Sequence, residues 1–160
     1  MSNSESNETL TRMGPGAAMG RVFRQFWQPA LLSEELPVAD CPPVRVRLMG
    51  EDFVAFRDSS GKVGLLDAHC PHRLADLFFG RNEEGGLRCV YHGWKFSVAG
   101  EILDMPSEPQ GSPMRCNPNL RAKAYPVREA GGIIWAYLGP QESMPALPDM
   151  EFMSLPPQNV

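Results

Sequence analysis

Two short segments of this 160-residue chain each carry one cysteine and one histidine. The first, CPH, spans residues 70–72, and the second, CVYH, spans residues 89–92. The chain has 4 cysteines and 3 histidines, so these segments hold four of its seven thiol and imidazole side chains. Thiolates and imidazoles are the ligands that iron, zinc and copper prefer in proteins. The pattern therefore predicts a fold in which two loops meet around one metal centre.

The order of the four candidate ligands, Cys70, His72, Cys89 and His92, distinguishes two kinds of metal centre. A Rieske-type [2Fe–2S] cluster needs two cysteines on one iron and two histidines on the other, which two mixed loops supply. A structural zinc site also uses two cysteines and two histidines, but zinc motifs usually bring like ligands in pairs. The alternation of Cys and His favours the cluster, and zinc remains the alternative.

Composition and charge argue against several other functions. The net charge is −4 at pH 7 without a basic cluster, which is unlike a nucleic-acid-binding protein. The first ten residues contain neither Lys nor Arg, unlike a signal or transit peptide, and no apolar stretch reaches the length of a membrane span. We therefore expect no membrane partner and a cytoplasmic location, where cysteines favour metal binding over disulfides.

The rest of the chain predicts an all-β fold of small antiparallel sheets, with the two metal-binding loops at hairpin tips. The 15 glycines and 16 prolines favour turns over long helices. Apolar residues at helical spacing from Met19 to Trp27 predict one short helix, which begins near Ala17 and is ended by Pro29. Alternating and apolar runs predict strands at residues 44–49, 52–58, 63–67, 87–91, 95–98, 102–104, 125–128 and 133–138.

Changes in composition divide the chain into four parts. Residues 1–13 are polar and are predicted to be a disordered N-terminus. Residues 14–42 are interpreted as an N-terminal helical arm, and residues 43–139 as the domain that holds the strands and metal loops. Residues 140–160 include five prolines and are interpreted as a Pro-rich linker or tail.

The metal loops resemble those of the Rieske family, in particular the Rieske domain of ring-hydroxylating and demethylating oxygenases. The matching strings are CPHR at residues 70–73 and CVYHGWKF at residues 89–96. Respiratory-chain Rieske proteins carry a disulfide-linked cysteine in each loop and a serine after the second loop's glycine, whereas Ala75, Tyr91 and Trp94 occupy those places here. Residues 14–36 resemble the N-terminal arm of phthalate-dioxygenase-like oxygenases. One difference is Leu74, where many relatives have glycine.

This resemblance implies that the chain is the electron-entry domain of a Rieske non-haem iron oxygenase that acts on an aromatic or related substrate. A reductase or ferredoxin would be the electron donor. The acceptor would be an oxygenase catalytic domain, which in the family belongs to a neighbouring subunit of a homotrimer. The absence of the serine donor implies a reduction potential at the low end of the Rieske range.

Oxygenases of this kind also hold a mononuclear Fe(II), bound by two histidines and one carboxylate. With His72 and His92 assigned to the cluster, His69 is the one histidine left, so this iron is expected only if a catalytic domain follows the chain. By itself the chain is expected to transfer one electron at a time. The alternatives are a free-standing carrier similar to a Rieske ferredoxin and a zinc-stabilised interaction module.

Overall fold

A computed structural model describes residues 3–117 and 119–155 of the chain. Within these residues, eleven strands form three antiparallel sheets, and there are two short α-helices. This architecture confirms the all-β prediction. No helix in this part of the chain is long and apolar enough to cross a membrane. The α-helices are α1 (Asn3–Thr11) and α2 (Ala18–Phe23). The strands are β1 (Trp27–Leu32), β2 (Val44–Leu48), β3 (Glu51–Arg57), β4 (Val63–Asp67), β5 (Arg81–Glu83), β6 (Gly86–Arg88), β7 (Lys95–Phe96), β8 (Ile102–Asp104), β9 (Ala124–Tyr125), β10 (Val127–Ala130) and β11 (Ile133–Tyr137). Single 3-10 turns lie at Ser33–Glu35, Leu77–Phe79, Pro113–Cys116, Gln141–Ser143 and Glu151–Ser154.

The middle sheet separates two apolar cores. The sheet orders are β1-β11-β10, β2-β3-β4-β9 and β5-β6-β7-β8. Successive side chains of a strand point to opposite faces of its sheet. Phe53 and Ala55 of β3 accordingly pack towards the first sheet, while Val54 and Phe56 pack towards the third sheet and the metal loops. Because both faces of β3 are buried, its sequence is continuously apolar from Phe53 to Phe56.

The predicted N-terminal helix is wrong in its second half. Helix α2 ends at Phe23, and Trp27–Leu32 is strand β1, which pairs antiparallel with β11. Pro29 lies within this strand, opposite Trp135, and the register shifts between Pro29 and Leu31. Proline is tolerated there because β1 is the edge strand of its sheet. The expected arm at residues 14–42 is therefore helical at its beginning and contributes a strand to the first sheet.

Both ends of the chain contain ordered contacts in the part that the structure describes. The part of residues 1–13 that the structure describes contains helix α1, in which the hydroxyl of Thr11 donates to the carbonyl of Asn7 over 2.8 Å. The described part of the Pro-rich tail, residues 140–155, packs against an aromatic cluster that includes Trp27, whose indole N–H donates to Pro145 O over 2.9 Å. Residues 1–2 and 156–160 lie outside the described residues. Apolar side chains of the tail thus cover the first sheet.

An ion pair joins the first and second sheets and leads to a prediction on acid stability. Arg57 of β3 donates to both carboxylate oxygens of Glu129 in β10, over 2.7 and 3.0 Å. These hydrogen bonds from Arg57 lower the pKa of Glu129 below its ordinary value. A lowered carboxyl pKa in the folded state stabilises the fold above the unfolded pKa, and this stabilisation is lost as the pH falls through the folded pKa.

We therefore expect Glu129→Gln to lower the free energy of unfolding at pH 7 by about 1 kcal/mol, the upper end of the range for partly exposed pairs. The difference from the unsubstituted protein should shrink as the pH falls below about 4.5, the ordinary glutamate value. Urea unfolding at a series of pH values measures both effects. Glu142→Gln, in the exposed turn at Gln141–Ser143, is the matched control and is expected to change stability by less than about 0.5 kcal/mol. A difference that stays constant down to pH 3 would contradict the assignment.

Candidate metal centre

The first metal loop is a tight turn after β4. Cys70 N donates to Ala75 O over 2.8 Å, and Leu74 N donates to Cys70 O over 2.8 Å. The loop is followed by the 3-10 turn Leu77–Phe79, which Asp76 caps by accepting a hydrogen bond from Phe78 N over 2.9 Å. These bonds fix the backbone on both sides of His72.

The second metal loop connects β6 to β7 and repeats the same hydrogen bonds. Cys89 N donates to Trp94 O over 2.8 Å, and Gly93 N donates to Cys89 O over 3.1 Å. In both loops the cysteine opens the turn and the residue four positions later has a positive φ, 56° at Leu74 and 73° at Gly93. The two loops therefore share one backbone design, although the histidine is the third residue of the first loop and the fourth of the second.

The two cysteines lie together in the interior. Cys70 is 2% exposed and Cys89 3% exposed, and their sulfur atoms are within hydrogen-bonding distance of each other. Burial raises the pKa of the Cys70 thiol and the neighbouring Cys89 raises it further, while the backbone N–H groups of His72 and Arg73 donate to its sulfur and act in the opposite direction. A buried pair of thiolates would need a cation for compensation, which a metal centre at this position would provide.

The two histidines lie together nearer the surface. The ring centroids of His72 and His92 are 4.7 Å apart, with an angle of 64° between the ring planes, and both side chains are half-buried. Burial lowers the pKa of His72, and the neighbouring His92 and Arg73 lower it further. The neutral imidazole, which is the form that binds metal, is thereby favoured.

Trp94 links the two loops through its side chain. Its indole ring is fully buried and stacks on His72, with ring centroids 4.3 Å apart and 3° between the planes. Its N–H donates to the hydroxyl of Ser107 over 3.1 Å. The other histidine, His92, contacts the exposed ring of Tyr91 at a centroid distance of 3.9 Å. Each imidazole is thus supported by an aromatic ring, one internal and one external. No sequence pattern predicted the hydrogen bond from Trp94 to Ser107 or the stacking of Trp94 on His72.

The four candidate ligands form two pairs rather than one compact set. Within residues 3–117 and 119–155, no group of three or more His, Cys, Asp or Glu side chains is arranged to hold a single metal ion. A [2Fe–2S] cluster takes two protein ligands at each of its two irons, so an inner thiol pair and an outer imidazole pair fit it. The third histidine, His69, is exposed and forms a β-bridge with Asp76.

The conformation of Leu74 leads to a stability prediction. An exposed leucine at φ 56° is in the left-handed region, which costs an L-residue about 1–2 kcal/mol. Leu74→Gly removes this strain but adds about 0.5–1 kcal/mol of chain entropy to be lost on folding, so a net stabilisation of about 0.5–1 kcal/mol is expected. The urea midpoint should rise without a change in slope. Leu32→Gly is the control, because Leu32 is also exposed but has a φ of −77°; this variant is expected to lose stability. A lower midpoint for Leu74→Gly would contradict the strain argument.

Comparison with known proteins identifies the family. The Rieske [2Fe–2S] domain family matches residues 26–126. The 3-chlorobenzoate-3,4-dioxygenase oxygenase subunit of Comamonas testosteroni is 48% identical over 160 residues, which are 100% of this chain and 36% of that protein. The phthalate 4,5-dioxygenase oxygenase subunit of Pseudomonas putida is 49% identical over 145 residues, 91% of this chain and 33% of that protein.

A solved structure agrees with these sequence matches. The crystal structure of dicamba monooxygenase with non-haem iron and dicamba superposes with a TM-score of 0.70 and 30% identity, covering 80% of this chain and 38% of that one. The chain thus spans about a third of the length of the oxygenase subunits that it matches. With a match to the family over more than half its length and two paired ligand loops, this chain belongs to the Rieske [2Fe–2S] domain family.

Proposed function

We propose that the chain binds its [2Fe–2S] cluster through Cys70 and Cys89 on an inner iron and through His72 and His92 on an outer iron. The observation that carries this assignment is the burial of the two thiols, 2% and 3% exposed, in the same two loops whose imidazoles are paired and half-buried. When bound, the cluster supplies one-electron oxidation and reduction. The protein provides the insulation on the thiol side and leaves the imidazole side within reach of a redox partner.

Trp94 supports a low reduction potential for this centre. Hydrogen bonds to cluster sulfur raise the potential of an iron–sulfur centre. At the position where respiratory Rieske proteins have a serine donor, this chain has Trp94, and its indole N–H is already used by the hydroxyl of Ser107. The two imidazole ligands still place the potential above that of an all-cysteine cluster.

The surface around the histidines supports a role in delivering electrons to another protein domain. Leu74 of the first loop is 73% exposed, and Val90 and Tyr91 of the second loop are 53% and 61% exposed. Exposed apolar side chains of this kind mark interaction sites. We propose that this surface binds the catalytic domain of an oxygenase. As in the family, that domain would belong to a neighbouring subunit of a trimer. A reductase or ferredoxin is the proposed donor.

Named relatives support the proposed substrate class. The matched proteins include oxygenase subunits named for 3-chlorobenzoate, phthalate and 5,5'-dehydrodivanillate, all aromatic acids, at 47–49% identity. We propose that the whole oxygenase acts in the cytoplasm on an aromatic or related substrate at a mononuclear iron outside this chain.

Within the chain, residues 43–139 are proposed as the main part of the Rieske domain. Strand β1, at residues 27–32, is added to this part because it pairs with β11.

Metal and sulfide analysis of the purified chain tests the proposal. We expect about two irons and two acid-labile sulfides per chain, and a Rieske-type EPR signal after reduction with dithionite. Bleaching of the visible absorption by NADH and the reductase of a multicomponent oxygenase would support the role in electron entry. A colourless chain that holds stoichiometric zinc without sulfide would overturn the assignment and favour the interaction module.

A further inference from the structure

Arg88 lies at the end of β6, immediately before Cys89, and its side chain is 13% exposed. Its guanidinium group makes three short hydrogen bonds to different parts of the chain. Nη1 donates to Gly93 O over 2.8 Å and to Asp104 Oδ2 over 2.8 Å, and Nε donates to Glu83 Oε1 over 2.7 Å. A buried guanidinium with several acceptors holds its position firmly, because its planar donors have fixed directions.

The bond to Gly93 O joins the two ends of the second metal loop. Arg88 precedes the loop and Gly93 directly follows His92, so the guanidinium closes the loop across its base. This bond adds a charged donor to the two backbone bonds that the second loop shares with the first. Gly93 also packs closely against Pro106, because a Cβ atom added at this position would lie 2.8 Å from Pro106 Cγ.

Asp104 orients this arginine from two strands away. It lies at the end of β8, opposite Lys95 of β7, and accepts from the same Nη1 atom that binds Gly93 O. Glu83 of β5 holds the Nε side of the group. The guanidinium is therefore fixed from both edges of the third sheet, and its position fixes the carbonyl next to His92.

We propose that Arg88 is a positioning residue for the metal centre: held by Asp104, it clamps the second loop through Gly93 O and so fixes the placement of His92. This inference rests on the proposed assignment of His92 as an iron ligand. Residues that orient metal ligands from outside typically contribute ten- to a hundredfold to metal affinity, so an effect of about this size is expected when the clamp is removed.

The test compares Arg88→Ala, Asp104→Ala, the double variant with both alanines, and Arg88→Lys as full chains loaded with the cluster. We expect cluster loss to an iron chelator to be faster by about ten- to a hundredfold in Arg88→Ala. Its EPR signal should be broader or shifted because the orientation of His92 is less uniform. Arg88→Lys, which keeps one charged donor, should recover part of the effect. Since Asp104 acts through Arg88, the double alanine variant should lose the cluster no faster than Arg88→Ala alone.

Arg81→Ala is the matched control. Arg81 pairs with the same Glu83, but from the edge strand β5 and with 63% of its side chain exposed. We expect this variant to keep the unsubstituted rate and EPR signal. Unchanged behaviour of Arg88→Ala, or an equal change in Arg81→Ala, would overturn the clamp. If Arg88→Ala does not fold, Asp104→Ala and Arg88→Lys provide the test. The clamp is overturned equally if both variants keep the unsubstituted EPR signal and rate of cluster loss. An unsubstituted chain without iron and sulfide would instead overturn the ligand assignment itself.

Discussion

Replacing Cys89 with serine is expected to yield a chain without its [2Fe–2S] cluster. Iron and acid-labile sulfide should fall from about two of each per chain to near zero, with loss of the visible absorption. Cys89 is 3% exposed and lies against Cys70, so a hydroxyl that stays protonated at neutral pH would replace a thiolate inside an apolar core. The chain should also unfold at a lower urea concentration, because metal binding by two loops contributes to folding stability.

Cys41→Ser is the matched control for this substitution. Cys41 is a free cysteine that is 7% exposed, but it lies in the core between the first and second sheets. The same chemical change at this position is expected to cost about 1–3 kcal/mol for burying a hydroxyl, with iron and sulfide retained. A full-intensity cluster in Cys89→Ser would contradict the ligand assignment. Loss of the cluster in both variants would mean that stability, rather than ligation, controls cluster content.

The two loops were visible in the sequence because ligand chemistry depends on residue type and short spacing. Cysteine and histidine are rare in this chain, so their concentration at residues 70–72 and 89–92 predicted a shared centre. The structure brings the four side chains together as two pairs. That arrangement depends on the packing of the loops against Val54, Phe56 and Leu66 of the middle sheet.

Strands were predictable where the residues of a single strand show an alternating or continuous apolar pattern. The alternation at Val44–Leu48 and the run at Val63–Asp67 predicted β2 and β4 closely. Strand β1 was missed because its apolar residues also fit helical spacing and because it contains Pro29. Its conformation is decided by pairing with β11, about a hundred residues later. Such tertiary pairing overrides local propensity and leaves no mark on a single segment.

Side-chain contacts between loops were the least predictable part of the site. The positive φ of Leu74 becomes understandable once the first loop is compared with the second, where Gly93 has the same position. The clamp by Arg88 involves Gly93 and Asp104, five and sixteen residues later, at spacings that match no motif. Periodicity describes single elements, whereas these contacts depend on how β6, β7 and β8 align.

The second large effect is expected for Trp94→Ala. Removal of this fully buried ring should lower the free energy of unfolding by about 3–5 kcal/mol, the usual cost of deleting a large aromatic side chain from a core. It also removes the surface on which the His72 ring stacks at 4.3 Å. We therefore expect two measurements to change together: the urea midpoint should fall, and the EPR signal of the reduced cluster should broaden because His72 becomes free to reorient.

Two further variants separate these contributions. Trp135→Ala removes a tryptophan that is 7% exposed from the aromatic cluster on the first sheet, so a comparable loss of stability is expected with an unchanged EPR signal. Trp94→Phe keeps an aromatic ring against His72 and loses the hydrogen bond to Ser107, which should cost about 1–2 kcal/mol. If Trp94→Ala and Trp135→Ala altered the EPR signal equally, the stacking on His72 would have no specific role. If neither did, the His72 ring would be held by its iron and loop backbone without help from Trp94.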